Sequence, residues 1–246
     1  GAAAARNAGA AAAAGELLLF TDQDDVVDEC WVQELVRALR EHPFVGGGLE
    51  AHELNGPEVY GWRLSLGEGG LPLLGGQPCV IGCNCGFTAA AYERCGGFDA
   101  RFNGGGEDLD VSLRMHALGM TAVFAEAAVV HYRFRRDPRA TIQQMWGYGV
   151  ATGSVCVVHG VEPPTFLDLT VSCYRDGKKA LRMRLTGKRP VRPVADMAYA
   201  LGEASVLWRS RSFWKPVLRR MPAENSLHLH RRRLGRLSEF IGRLGE

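Results

Sequence analysis

The sequence predicts an α/β fold, and three stretches carry that prediction. "LLLFT" at 17–21 is a short, continuously apolar run that ends abruptly on acids, the pattern of a strand covered on both faces. Val27, Trp31, Leu35 and Leu39 then recur every four residues, so 28–41 reads as an amphipathic helix that ends before Pro43. Further along, "CVIGCNCGFTAAAYERCGGFD" repeats the order of short strand, turn and helix. Strand, polar turn and helix in succession make layers of helix on sheet, mostly parallel. Carboxylates then fall at the C-terminal ends of strands, where open α/β sheets hold ligands.

Taken in order, "GAAAARNAGAAAAAGE" is an Ala-rich helix over 2–14, weakened by Gly9 and stopped near Gly15. Residues 45–78 are rich in Gly and Pro and give only weak strand signals. Gly96 and Gly97 end the helix that follows "CNCGFT". Gly104 to Gly106 precede an acidic helix start, where Glu107, Asp108 and Asp110 suit the helix dipole in any case. Leu109, Leu113 and Ala117 are read as that helix's inner stripe and Gly119 as its stop. "TAVFAEAAVVHYRF" follows as one or two strands. Beyond about residue 140 the pattern is mostly helical and increasingly basic, with Pro163-Pro164 and "GKRPVRP" as breaks. Two regions are expected: an α/β domain over 1–150 and a helical basic extension over 151–246.

At 246 residues, 46% hydrophobic and 23% charged, the composition is that of a globular protein. No apolar run approaches the roughly 18 residues of a membrane span; "MWGYGVATGSVCVVHG" is broken by glycines. Seven cysteines without a regular framework suit reduced thiols and a cytoplasmic protein. Cys83 and Cys85, one residue apart, lack zinc-knuckle spacing and read as small buried thiols. The net charge of +2 conceals a division: residues 1–130 hold 7 Lys/Arg and 18 Asp/Glu, and residues 131–246 hold 22 and 9. An acidic half suits a metal; a basic half suits phosphate-bearing or membrane-surface partners. Nucleic acid is not an expected partner, since "RRMPAENSLHLHRRRLGRL" lacks aromatics interleaved with its basic residues.

Chemistry concentrates where apolar segments end: "DQDD" at 22–25, "GGGED" at 104–108 and "VVH" at 129–131. Asp22, Asp24, Asp25 and Asp28 fall within seven residues. Packed acids repel and are costly to desolvate, so a divalent cation is the expected partner of their charge.

These stretches, in the order "ARNAG…GELLLFTDQDD…W…L", "GCNCGFTAAAYERCGGFDARFNGGGEDLDVSLRMHALG" and "AVVH", resemble the family 2 glycosyltransferases of the GT-A fold over residues 1 to about 150. The resemblance implies transfer of a sugar from a nucleotide diphosphate to a hydroxyl acceptor with inversion, in glycan or cell-envelope synthesis. It implies Mn2+ or Mg2+ held by Asp22, Asp24 and His131, with Asp22 shared with the donor ribose. Asp25 and Asp28 are left as N-terminal acids of the next helix. Asp108 matches the family's catalytic base, with Glu107 binding acceptor or orienting the loop. Gly105 and Gly106 would let backbone approach the sugar, and Asn84 matches a position near sugar or acceptor. Arg6 and Asn7 adjoin the donor pocket in relatives, although helix packing accounts for them nearly as well.

Relatives open with strand–helix units that cradle the nucleotide base, and those first strands are absent before Gly1. Residues 1–246 alone are therefore expected to bind nucleotide-sugar poorly, with a missing segment or a second chain completing the pocket. The alternative is a non-catalytic glycan-binding remnant. The acceptor is expected to be a glycan or lipid-linked, and the chain peripheral at the inner face of the plasma membrane. There Leu207, Trp208, Phe213, Trp214, Val217 and Leu218 alternate with Arg209, Arg211, Lys215, Arg219 and Arg220.

Overall fold

A computed structural model of the chain describes residues 1–62, 69–102 and 104–210. The Ala-rich segment forms α1 (Ala2–Ala12) and the apolar run forms β1 (Leu17–Thr21). The acidic turn carries a two-residue strand, β2 (Val26–Val27), and leads into α2 (Trp31–Leu39). Then come β3 (Phe44–Glu50), the one-turn α3 (Pro57–Tyr60), and the small hairpin of β4 (Leu73–Leu74) and β5 (Gln77–Pro78). The second unit gives β6 (Asn84–Thr88) and α4 (Ala89–Cys95), followed by α5 (Glu107–Ala117) and β7 (Val123–His131). Three long helices close the described chain: α6 (Pro138–His159), α7 (Phe166–Leu185) and α8 (Val191–Arg209).

The α/β fold is as expected, but the sheet is mixed rather than mostly parallel. Its order is β1-β6-β3-β7-β2, and among the described strands only β3 and β7 pair in parallel. The reason lies in the crossovers. Helix α2 carries the chain from β1 to β3 in the same sense but leaves one strand's width between them, and β6 fills that gap from the opposite direction. A strand buried on both faces is apolar in either sense, so periodicity cannot report its direction. Strand β1 lies at one edge of the sheet and is only partly covered, with Leu18 its buried residue.

Strand β3 was barely legible, because "FVGGGLE" spends three of seven positions on glycine, a weak strand former. Close approach explains it. A Cβ on Gly47 would stand 2.2 Å from the Ala128 carbonyl oxygen and 2.4 Å from Asn84 Nδ2. Only glycine fits where the β3–β7 register shifts, between Gly47 and Gly48.

The sheet separates two apolar layers. On one face Phe44, Phe87, Phe98, Val111 and Met115 pack beneath α4 and α5; on the other, Trp31, Leu35 and Leu39 of α2 cover Val45 and Val130. The inner stripe of α5 is thus Val111 and Met115, not Leu109, Leu113 and Ala117. Leu113 and Leu109 turn instead to Val155 of α6, and Ala117 is exposed. A helix gripped from two sides has two apolar faces, which a single four-residue stripe does not describe.

Helix α6 runs through the expected boundary at 150/151, so that division falls inside one element. Helix α7 packs on α8 through Leu169, Ala200 and Leu207. Leu207, expected at a membrane surface, is fully buried there, while Trp208 is exposed. Phe213, Trp214, Val217, Leu218 and the basic residues from Arg211 to Arg220 lie outside the described residues. No helix among the described residues is long and apolar enough to cross a membrane.

Candidate active site

Three separate pieces of chain meet at the C-terminal end of β1: the acidic turn after Thr21, the segment 80–83 before β6, and the glycine loop opening α5. A cavity of about 270 Å³ lies between them and is closed on its far side by α6 and α8. Asp22, Gly105, Gly106, Glu107 and Asp108 all line it, as expected, together with Arg6.

Arg6 reaches from α1 into this cavity and forks between two carboxylates. Its Nη1 donates to Glu107 Oε1 and its Nη2 to Asp22 Oδ1, each at 2.7 Å. Its side chain is 9% exposed, and so is that of Glu107, so the pair is largely removed from water. A planar guanidinium suits this bridging better than an ammonium would. Gly82 makes room for it, since a Cβ there would stand 3.0 Å from the guanidinium carbon. Asn7, by contrast, is structural: its side chain brackets Phe98 N and O and accepts from the Tyr92 hydroxyl at 2.7 Å.

Asp108 is half-buried beside Glu107 at the first turn of α5. Its Oδ2 accepts the Gly82 N–H at 3.0 Å and its Oδ1 accepts the Leu109 N–H at 2.8 Å. Burial and then the neighbouring Glu107 charge push its pKa up to about 6, against the two amides and Arg6, which favour the anion. A carboxylate ionised at neutral pH yet basic enough to take a proton is the result. Gly106, at φ +85°, turns the chain into α5, and a Cβ on it would stand 3.2 Å from both Ala151 Cβ and Val155 Cγ2 of α6. The glycines therefore serve the contact with α6 at least as much as an approach to sugar.

The acidic turn is not assembled as the sequence suggested. Asp24 is exposed, and its carbonyl accepts Arg133 Nε at 3.0 Å. Asp25 is no helix-start acid. Its Oδ1 accepts the Arg133 N–H at 2.8 Å, while its Oδ2 is buried without a hydrogen-bond partner. Burial pushes Asp25 up to about 6, with Asp24 and Asp22 adding to it and the Arg133 amide opposing. Asp28 does turn back on the α2 start, accepting the Cys30 N–H at 2.9 Å. Ligand atoms of Asp22, Asp25 and Cys83 lie within 4.8 Å of one another. The orphaned Asp25 oxygen and the crowded charge fit a cation held at this turn.

His131 stands at the end of β7, and its Nδ1 lies 3.0 Å from Glu50 Oε2 and 3.1 Å from Glu53 Oε2. The three expected ligands Asp22, Asp24 and His131 thus do not share one cluster; His131 joins Glu50 and Glu53. The parallel register sets Glu50 directly opposite His131. Slight burial would raise Glu50, but the hydrogen bonds from His131 and from the Glu53 and His52 amides outweigh it and hold Glu50 below the usual carboxylate range. The signal for Glu50 was present in the sequence: β3 ends on an acid, much as β1 runs straight into Asp22.

Asn84 is corrected outright. It is fully buried, accepts from Trp31 Nε1 at 2.8 Å, and donates to the Gly48 and Ala128 carbonyls at 2.8 Å each. Its two donors and its carbonyl oxygen pin β3, β7 and α2 together. Other wall residues carried no sequence signal: Tyr148 on α6, and Tyr199 on α8, whose hydroxyl donates to Thr152 Oγ1 at 2.9 Å. Cys83 and Cys85 are buried thiols, and burial pushes both well up.

Comparison with known proteins bears on the family and the fold. The model of the Glycosyl transferase family 2 matches residues 1–96, and that of the Glycosyl transferase family group 2 matches residues 73–228. The O-antigen biosynthesis protein RfbC of Myxococcus xanthus is 31% identical over an alignment of 156 positions that covers 52% of this chain and 12% of that protein. The chain thus spans a small part of that relative's length. A mannosyltransferase, PcManGT of Pyrobaculum calidifontis, solved with GDP-Man and Mn2+, superposes with a TM-score of 0.53 at 19% identity. The match covers 85% of this chain and 67% of the other, and at that identity it speaks for the fold. With a family match over more than half its length and a GT-A-like architecture, the chain belongs to the family 2 glycosyltransferases.

Proposed function

We propose that this chain is the catalytic part of an inverting glycosyltransferase that moves a sugar from a nucleotide diphosphate to a hydroxyl of an envelope glycan. The single observation that carries the reading is the placement of Asp108, a half-buried carboxylate held by two backbone amides in the same cavity as the Arg6–Asp22–Glu107 bridge.

In this reading the acceptor O–H gives its proton to Asp108 while its oxygen bonds to the anomeric carbon. The bond from that carbon to the diphosphate oxygen breaks, and its electron pair leaves with the nucleotide diphosphate. One displacement inverts the anomeric centre. The Gly82 and Leu109 amides hold the carboxylate in place. Arg6 fixes Glu107 and Asp22 on either side of its guanidinium.

Asp22, Asp24 and Asp25 are the proposed oxygen ligands of a divalent cation, which when bound stabilises charge on the leaving diphosphate. His131, which stands with Glu50 and Glu53 apart from that turn, is not among the proposed ligands of this cation. The name of the Myxococcus relative supports an O-antigen-like acceptor, and the GDP-Man of the Pyrobaculum enzyme makes GDP-mannose the first donor to try.

Incubation with GDP-mannose and other nucleotide-sugars, Mn2+ and lipid-linked glycans tests the reading, with the product anomer read by NMR. A β-linked product from an α-linked donor is expected. A retained configuration, or glycan binding with no turnover, would overturn it.

A further inference from the structure

Helix α7 has two apolar faces, and only one is used. The inner face carries Leu169 and Cys173 onto α8. On the opposite side Leu167, Val171, Tyr174, Leu181 and Leu185 are spaced by three and four residues, with Lys178 in the one remaining place of the series. These five apolar side chains are 54–80% exposed, the largest such run among the described residues. Isolated exposed leucines need no account, but a stripe along five turns of one helix does.

Charge decides what it faces. Arg175, Lys179, Arg182 and Arg184 flank the stripe and are exposed, and Lys178 sits within it with its Nζ 5.4 Å from the Tyr174 ring centroid. Asp176, buried on the inner face, pairs with Lys179 at 3.2 Å and Arg175 at 3.7 Å, and Asp168 is occupied in the capping box with Thr165, so α7 keeps an excess of positive charge with five Lys/Arg against two acids. A second copy of α7 laid on this stripe would set lysine and arginine against their own kind. An anionic bilayer surface has the opposite sign, takes leucines and tyrosine into its headgroup region, and lets long basic side chains reach the phosphates.

We propose that α7 docks this protein on an anionic membrane surface through Leu167, Val171, Tyr174, Leu181 and Leu185. Helix α7 packs on α8, and α8 supplies Tyr199 to the cavity wall, so docking brings the site close to a lipid-borne substrate.

The test is co-sedimentation of the full chain with vesicles of phosphatidylglycerol and phosphatidylcholine in equal parts, against phosphatidylcholine alone. Recovery with the anionic vesicles should be at least about fivefold higher and should fall in 0.5 M salt. Leu181→Glu with Leu185→Glu should cut it by about tenfold or more while leaving Tm unchanged, since both side chains are at the surface. Equal recovery with both vesicles overturns the proposal. So does undiminished binding by the double variant, which would assign it to residues 211–246, with nine Lys/Arg and three Asp/Glu. Conversion of a wild-type dimer to monomer by the double variant, read by light scattering, would show an interface between copies instead. No donor or acceptor enters the assay, so its outcome is separate from that of the transfer assay.

Discussion

The Gly82 amide nitrogen lies 3.0 Å from Asp108 Oδ2, joining the segment before β6 to the first turn of α5. That bond orients the carboxylate from the side opposite its own helix. A backbone donor has no side-chain freedom to swing away, so it ties the carboxylate to the segment before β6.

Asp108→Asn should lower transfer by about 10² or more with donor affinity within a few-fold, because the amide keeps the shape and loses the base. In the wild type kcat/KM should rise as pH climbs through about 6, where Asp108 ionises, and level off above it. Transfer within a few-fold of wild type in the variant would remove Asp108 from its role.

Chelator should abolish transfer and Mn2+ restore it. Asp24→Ala and Asp25→Ala should each raise the Mn2+ concentration needed for half-maximal rate by about tenfold. A Tm titration with Mn2+ gives an independent reading, since an ion that binds only the folded chain raises Tm with concentration. Full activity in excess chelator would dismiss the metal.

Asn84→Ala should act on stability and not selectively on KM. It strands the Gly48 and Ala128 carbonyls and the Trp31 N–H, at a cost of about 3–5 kcal/mol. Urea unfolding measures this. An unchanged midpoint with a raised KM would return Asn84 to the substrate site.

Glu203, buried on α8, is pushed up to about 7 by burial alone. Its folded pKa lies above the unfolded value, so its contribution to stability is complete below pH about 4.5 and is lost as pH rises through about 7. The loss should amount to about 2–3 kcal/mol between pH 4 and 8, and Glu203→Gln should flatten that slope. Urea midpoints of the two proteins at both pH values check it; parallel profiles would contradict the assignment.

What the sequence could disclose was local. The apolar run at 17–21, the four-residue stripe of α2 and the glycine-preceded start of α5 each declare themselves within one turn or strand. Strand β3 hid because its glycines answer to Ala128 and Asn84, 81 and 37 positions away from Gly47. Asp22, Glu107 and Asp108 converge as expected, since strand ends and helix starts meet at one edge of the sheet. His131 did not join Asp24, because side-chain pairing across β3 and β7 depends on a register that no single strand contains. Asn84 misled for the same reason: one polar residue among apolar neighbours looks alike whether it binds a ligand or three backbone segments.

The forked Arg6 has a practical consequence. Arg6 is the only lysine or arginine before Arg37, so trypsin has a single point of attack in the first 36 residues. To be cut there, α1 must open locally and withdraw its guanidinium from Asp22 and Glu107. The rate of cleavage after Arg6 therefore clocks how firmly the two carboxylates are held. Anything that tightens Asp22 in its turn will slow the clip, and the rate of one proteolytic fragment, read by mass spectrometry, reports occupancy without a labelled sugar.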